Sequence, residues 1–165
     1  MDRRNRKRGL MHMASRSVIV CVTIVFSACS SSPTVLTGNV DVVRALAVQA
    51  SVQKVGTTPT SVEVIARVTN TAANSVQFAT LGPCPLRLRA YTTAARNGTP
   101  AWDESKQVVC GLSQAEVSLD PGGSQVFTRA IDASSIPLSP GTYYLTGILI
   151  VNDTTKIVDA GTLVL

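Results

Sequence analysis

From about residue 40 onward, apolar and polar positions alternate in short runs. Val62, Val64, Ala66 and Val68 fall on one side of an extended chain, and Glu63, Arg67 and Thr69 on the other, with Ile65 the exception. A period of two marks a strand with one buried face. Leu86, Leu88 and Ala90 alternate in the same manner with Arg87 and Arg89, and Val117 and Leu119 alternate with Glu116 and Ser118. Tyr143, Leu145, Gly147 and Leu149 form one face of a late strand. Its other face, with Tyr144, Ile148 and Ile150, is also apolar, as expected of a central strand or one that lies under a loop. Further strands are predicted near residues 40–52, 75–81, 124–131 and 156–165, and no stretch holds a sustained 3.6-residue period. Turn signals separate these runs at residues 70–74, Gly82-Pro83, Asn97-Gly98, Asp120-Pro121-Gly122-Gly123 and Ser139-Pro140-Gly141. Asn97-Gly98 is expected to make a tight hairpin turn, because both residues tolerate positive φ. Many short strands with regular turn punctuation predict an all-β, antiparallel sandwich of about seven to nine strands. Aromatic residues are only 4% of the chain, so the core must be built of Val, Leu, Ile and Ala. Trp102 and Phe127 are its expected large anchors.

The first 28 residues follow another pattern. Arg3, Arg4, Arg6, Lys7 and Arg8 come first, residues 18–26 are apolar apart from Thr23, and Ser27 and Ala28 lead into Cys29. The apolar run is far short of the roughly 20 residues that span a bilayer as a helix, and it fits the core of an export signal. Met11 and Met13 are alternative starts that keep Arg16 and the apolar run. Arg3-Arg4 lacks the hydrophobic residues that should follow a twin-arginine signal. Residues 30–33 are polar and turn-prone, as suits a tether. The expected organisation is therefore a signal segment over 1–28, a flexible tether over 29–38 and one sandwich domain over 39–165.

Charge sharpens this division. The chain carries a net +5. The six basic residues before Cys29, set against Asp2 alone, account for all of it, leaving equal numbers of acids and bases afterwards. A neutral exported domain lacks the electrostatic footprint of a nucleic-acid binder, so no nucleic-acid partner is expected.

The four cysteines divide in the same way. Cys21 lies in the apolar run and leaves with it, and Cys29 stands at the junction. Cys84 and Cys110 remain as a lone pair, whose default in an oxidising compartment is a disulfide. Two free thiols or a redox pair are the alternative, although the spacing is nothing like Cys-x-x-Cys. The single histidine, His12, is in the leader, so the exported part has none. That removes Ser-His-Asp and Cys-His machinery, and two cysteines alone do not complete a zinc site. No glycine-rich phosphate loop is present. Asp103 and Glu104 are adjacent acids of the kind that act on glycosidic bonds, but neighbours in a polar loop are expected to be solvated surface. The exported domain is expected to be no enzyme and to hold no metal or cofactor.

Phe26-Ser27-Ala28-Cys29 resembles the lipobox of bacterial lipoproteins, with Phe26 where leucine is usual. The resemblance implies cleavage before Cys29 and diacylation of its thiol. The protein would then be held to the cell envelope, at the outer membrane facing the periplasm or at the cell surface. An ordinary signal peptide cut nearby would instead leave a soluble secreted protein. Within the domain several motifs recur together. They are Val68-Thr69-Asn70, the Cys84-Pro85-Leu86-Arg87-Leu88 strand, and Gly98 with Trp102. Leu119-Asp120-Pro121-Gly122-Gly123 with Phe127, and Pro140-Gly141-Thr142-Tyr143, complete the set. Together they resemble the family of the Bacillus intracellular proteinase inhibitor. The resemblance spans roughly residues 61–151 and implies an Ig-like β-sandwich that binds proteins, with proteinase inhibition as the activity. No reactive-site residue carries over.

Two functions follow. One is a protein-binding module whose unidentified partner would include proteases. Its expected contact edge is the stiff Gly82-Pro83-Cys84-Pro85 loop with residues 99–105, so that Pro83, Pro85 and Trp102 are the candidate binding residues. The other is a structural or accessory envelope lipoprotein, in which Pro83 and Pro85 merely shape a turn and protect a strand edge.

Overall fold

The computed structural model describes residues 35–36, 38–56, 60–111 and 113–165, with Asn39 described by its backbone alone. The expected signal segment, Cys29 and the tether up to residue 34 lie outside the described residues. In chain order the elements are β1 (Val35–Leu36), α1 (Asn39–Ala45), β2 (Leu46–Val55), β3 (Ser61–Asn70), β4 (Ser75–Leu81) and β5 (Leu86–Tyr91). They continue with β6 (Trp102–Asp103), β7 (Gln114–Leu119), β8 (Ser124–Asp132), β9 (Thr142–Val151) and β10 (Thr154–Val164). Single 3-10 turns lie at Glu104–Lys106 and Ala133–Ser135. One sheet has the order β2-β3-β8, and the other holds seven strands with β9 at its centre. The domain is the all-β sandwich that the alternation predicts. The pairing is antiparallel throughout, except where β1 runs parallel to β4.

The core lies between the sheets and is built from the alternate positions. Val62, Val64, Ala66 and Val68 of β3 are wholly buried, as are Leu88 and Ala90 of β5. Burying each Val or Leu stabilises by roughly 1.5–3 kcal/mol, so a one-residue slip, which reverses every side chain, is ruled out by several such terms at once. On the outer face of β9, Arg96 lies over the Tyr144 ring and Ile148 is buried. β10 pairs along one of its edges from Thr142 to Val151, and β5 pairs along the other from Tyr144 to Leu149, so β9 is the central strand. β4 joins β9 only at Thr80↔Val151 and is flanked by β1 and β7.

Three details differ from expectation. Where a strand was predicted from residue 40, the chain first forms α1. Val42, Ala45 and Leu46 are buried at helical spacing, and Asp41 in the first turn and Arg44 in the last complement the helix dipole. The end of the helix is satisfied from far away. Thr71 N and Oγ1 donate to Ala45 O at 2.7 and 2.8 Å, and Lys156 Nζ donates to Val43 O and Leu46 O. Burial without a compensating carboxylate lowers the Lys156 pKa. Second, Asn97-Gly98 is not a tight turn but part of the long link from β5 to β6. Positive φ falls at Arg96 (51°) and Gly98 (76°) instead. Arg96 is tied down there, donating from Nε to Leu145 O at 3.2 Å, pairing with Asp159 and lying 5.6 Å from the Tyr144 ring centroid. The tight turn is Asn152-Asp153, with φ of 46° and 61°, between β9 and β10. Asn152 locks it to β4: its N donates to Ala79 O at 2.9 Å and its Oδ1 accepts from Ala79 N at 2.7 Å. Third, Val35–Leu36, inside the segment read as tether, pairs with Ser75 and Val76 of β4.

At the end of β3 stands a buried polar hub. Asn70 is fully buried, and its Nδ2 donates to Asn74 O, Leu119 O and Asp120 O at 2.8, 3.0 and 3.1 Å. Its Oδ1 accepts from Ala72 N at 2.9 Å, and its backbone exchanges bonds with Gly122 and Gly123. One side chain thus fixes two turns. Gly123 has no room for a side chain, because a Cβ would lie 2.9 Å from Asp120 O.

Candidate interaction site at the disulfide-pinned double loop

β4 and β5 lie along the same edge of β9, and the chain between them breaks from the sheet at Gly82-Pro83-Cys84-Pro85. A second excursion faces this break. After β6 and the turn Glu104–Lys106, residues 107–113 carry the chain to β7, which pairs β4. The two loops are joined by the Cys84–Cys110 disulfide, whose Cα atoms are 5.9 Å apart. Gly82 N also donates to Ser113 O at 2.8 Å, and a Cβ on Gly82 would crowd Ser113, meeting its Oγ at 3.0 Å. Pro83 packs beside Gly111. The loop-closure entropy removed by a bridge of this span stabilises by about 3–4 kcal/mol.

The other end of the second loop is held as firmly. Gln107 N and Val108 N donate to Glu104 O at 2.9 and 3.0 Å, and Trp102 Nε1 donates to Gln107 Oε1 at 2.9 Å. Between this anchor and Cys110 stands Val109, which is 99% exposed, with Val108 beside it at 36%. A single exposed valine is ordinary on a protein surface. This one is distinguished by its position between two fixed points only a few residues apart.

Beneath the loop sit two buried carboxylates, Asp103 and Glu104, and here the expectation of solvated surface is overturned. Asp103 is 8% exposed and Glu104 only 2%. Glu104 Oε2 accepts from Leu88 N of β5 at 3.0 Å, while Oε1 accepts from Arg129 Nε of β8 at 2.6 Å and pairs with Arg129 Nη2. Glu104 therefore straps one sheet to the other. Asp103 Oδ2 accepts from Arg89 Nε at 2.8 Å, and its Oδ1 accepts from Ser105 N and Oγ at 3.0 and 2.6 Å. Burial pushes the Asp103 pKa up. The Ser105 Oγ and Arg89 hydrogen bonds, the Ser105 N–H and the Arg89 charge outweigh it, leaving the pKa below 3.8. Each carboxylate is engaged by a different arginine.

The residues expected to make contacts divide accordingly. Cys84 and Cys110 are bonded, Pro83 is exposed and Pro85 half-buried at the loop. Trp102 is only 5% exposed and belongs to the core. Of residues 99–105, only Thr99 and Ala101 are exposed, because the strand pairing of β6 with β5 turns the following residues inward. Val109 goes unnoticed in the sequence, where it is one of two valines before a cysteine. Elsewhere, a shallow groove of about 330 Å³ beside Gln77, Gln114, Glu116 and the Asn152-Asp153 turn carries carboxylates and amides. Among the described residues no group of three or more His, Cys, Asp or Glu is placed to hold a metal ion.

No family model matches the chain, and no curated protein matches it. Among solved structures, it is similar to a β-glucosidase from Listeria innocua in complex with glucose, at 13% identity and a TM-score of 0.37. That match covers 73% of this chain and 16% of the enzyme's chain. A mutant of that β-glucosidase in complex with laminaribiose matches with the same identity, coverage and TM-score. The chain therefore spans about one sixth of the length of these relatives.

Proposed function

We propose that this chain is an exported lipoprotein, anchored to the cell envelope through Cys29, whose sandwich binds a protein partner through the disulfide-pinned double loop. The observation that carries the binding reading is Val109, 99% exposed on a segment fixed at both ends. A contact residue that is already immobile loses little conformational entropy on binding, and an apolar side chain displaces water when a pocket closes over it. The anchoring reading rests on the order of basic run, apolar run, small residues and Cys29. Binding rather than catalysis suits an exported part without histidine, whose buried carboxylates are both engaged by arginines.

Proteinase inhibition is the finer form of this reading. It draws on the resemblance to the proteinase-inhibitor family and on the clamp around Val109, since an inhibitory loop must resist rearrangement in a protease cleft. The test is a fluorogenic panel of serine, cysteine and metalloproteases, with the chain at micromolar concentration. Inhibition of one class, lost in Val109→Asp, is the expected result. No inhibition across the panel sinks the inhibitor form. The anchor is tested separately by the intact mass of the purified protein, which should begin at Cys29 and carry acyl chains; an unmodified cysteine sinks it.

A further inference from the structure

We propose that the pole of the domain where the tether enters rests on the bilayer surface, with Val40 in the boundary between headgroups and acyl chains. This rests on the reading of Cys29 as the lipid anchor. Two observations converge on it. First, α1 presents an apolar groove to the outside. Val40 is 62% exposed, and it lines a groove of about 250 Å³ with Val43, Arg44 and Thr154. Val40 and Arg44 are four residues apart, so they stand one above the other on the same helix face. Arg44 is itself exposed. An apolar side chain with a guanidinium one turn away is the composition of a surface that sinks into headgroups and meets their phosphates.

Second, the short chain between Cys29 and β1 keeps this pole close to the membrane. Val35 is paired to Ser75, so the tether ends there. From Cys29 to Val35 a fully extended chain spans at most about 20 Å. α1 begins three residues after β1, so the groove is built from the first residues of the domain that follow the anchor. Val35, 43% exposed, adds a further apolar side chain at that entry. Two acyl chains already hold a protein to a bilayer, so the patch adds orientation more than affinity. A sandwich standing on this pole holds one fixed attitude to the membrane instead of swinging on its tether.

The test uses the full lipidated chain in vesicles of phosphatidylcholine and phosphatidylglycerol. Cys84 and Cys110 are bonded to each other, and Cys29 is taken by lipid. An introduced cysteine is then the free thiol for an environment-sensitive fluorophore. Val40→Cys reports on the groove, Thr154→Cys reports on its β10 side, and Val126→Cys on the outer face of β8 is the control. The expected result is a blue shift at 40 and 154, with emission cut by about half when the acyl chains are brominated, and no such change at 126. Equal quenching at all three positions, or none at 40 and 154 while the protein floats with the vesicles, overturns the proposal. A blue shift at 40 that brominated lipid leaves unquenched means that the chain itself fills the groove, and also overturns it. Failure of the wild-type chain to float with the vesicles overturns the anchor reading, and this proposal with it.

Discussion

Asn70 and Val109 stand at two places where the chain leaves the sheets, and both places are clamped, but the clamps serve different ends. At Asn70 one buried amide takes up the loose carbonyls of two turns, in bonds that are buried or part-buried. At the double loop, a disulfide, a close glycine contact and a 3-10 turn hold the backbone, and an apolar side chain is left fully outside. The first clamp satisfies groups that the fold would otherwise strand. The second fixes a segment whose outermost residue contributes nothing visible to the core. A domain with few aromatic residues has little stability to spare. On the proposed reading, rigidity placed where it adds no burial serves contact with a partner.

The largest effect is expected from breaking the second clamp. Cys84→Ser combined with Cys110→Ser should lower the unfolding free energy by about 3–4 kcal/mol, measured by denaturant unfolding of the otherwise intact chain. If the loss is under about 1 kcal/mol, the two loops hold their positions without the bridge, and the contrast between the two clamps fails. Next comes the hub. Asn70→Ala strands three carbonyls and the Ala72 N–H, and should cost about 2–3 kcal/mol in the same measurement while leaving partner binding at the double loop unchanged. A binding loss at saturating folded protein would mean that the two regions are coupled rather than separate.

These expectations show which parts of the fold are legible in sequence. Strands β3, β5 and β7 are legible because one face of each meets the core and the other does not, so alternation survives. β9 is legible as a strand whose two faces are both apolar, and its pairing with β10 and β5 decides for a central strand over one that lies under a loop. α1 is not, because seven residues give the 3.6-residue period too few repeats to register, and Val40, Val42 and Val43 are β-branched and favour a strand locally. The helix stands because Thr71 and Lys156 satisfy its carbonyls, and no local pattern shows that. Asp103 and Glu104 fail in a similar way. Whether a carboxylate is surface or strut depends on where Arg89 and Arg129 arrive, and that is decided by the pairing of β5 and the position of β8. In the candidate site, proline and cysteine chemistry points to the loop that the disulfide pins. It misses Val109, because the outward position of one valine follows from the clamps around it and not from its neighbours in sequence. Trp102 reads as a contact residue and an anchor at once, and burial decides for the anchor.

A smaller effect separates the strut from the clamp. The Asp103 pKa is held below 3.8, so its charged form is favoured by the folded state. For a depressed carboxylate the stabilisation is fully present above the unfolded value of about 3.9, and it is lost as pH falls through the folded pKa. Wild-type stability should therefore decline on the acid side of about pH 4 more steeply than that of Asp103→Asn, which has no such proton to take up. Asp132, also lowered by its Ser134 hydrogen bonds, is present in both chains and cancels in the difference. Thermal unfolding from about pH 5 down to about pH 2 checks this, and parallel curves for the two chains would remove Asp103 from the account of what holds the loop base.

The smallest effect on the fold is expected from Val109→Asp, and it is the one that decides what the double loop is for. The side chain is 99% exposed, so replacing it removes no buried contact, and stability should stay within about 0.5 kcal/mol of wild type. The Cys84–Cys110 bond should form as before, which intact mass before and after reduction reports. Against a partner, the same change places a charge where an apolar side chain would enter a closed pocket, and affinity should fall by at least about tenfold, a difference of about 1.4 kcal/mol. Val108→Asp, at the anchored shoulder of the loop, should weaken binding less. A Val109→Asp chain that binds its partner unchanged would leave the clamp as reinforcement alone. The double loop would then belong with the Asn70 hub, as a device of the fold.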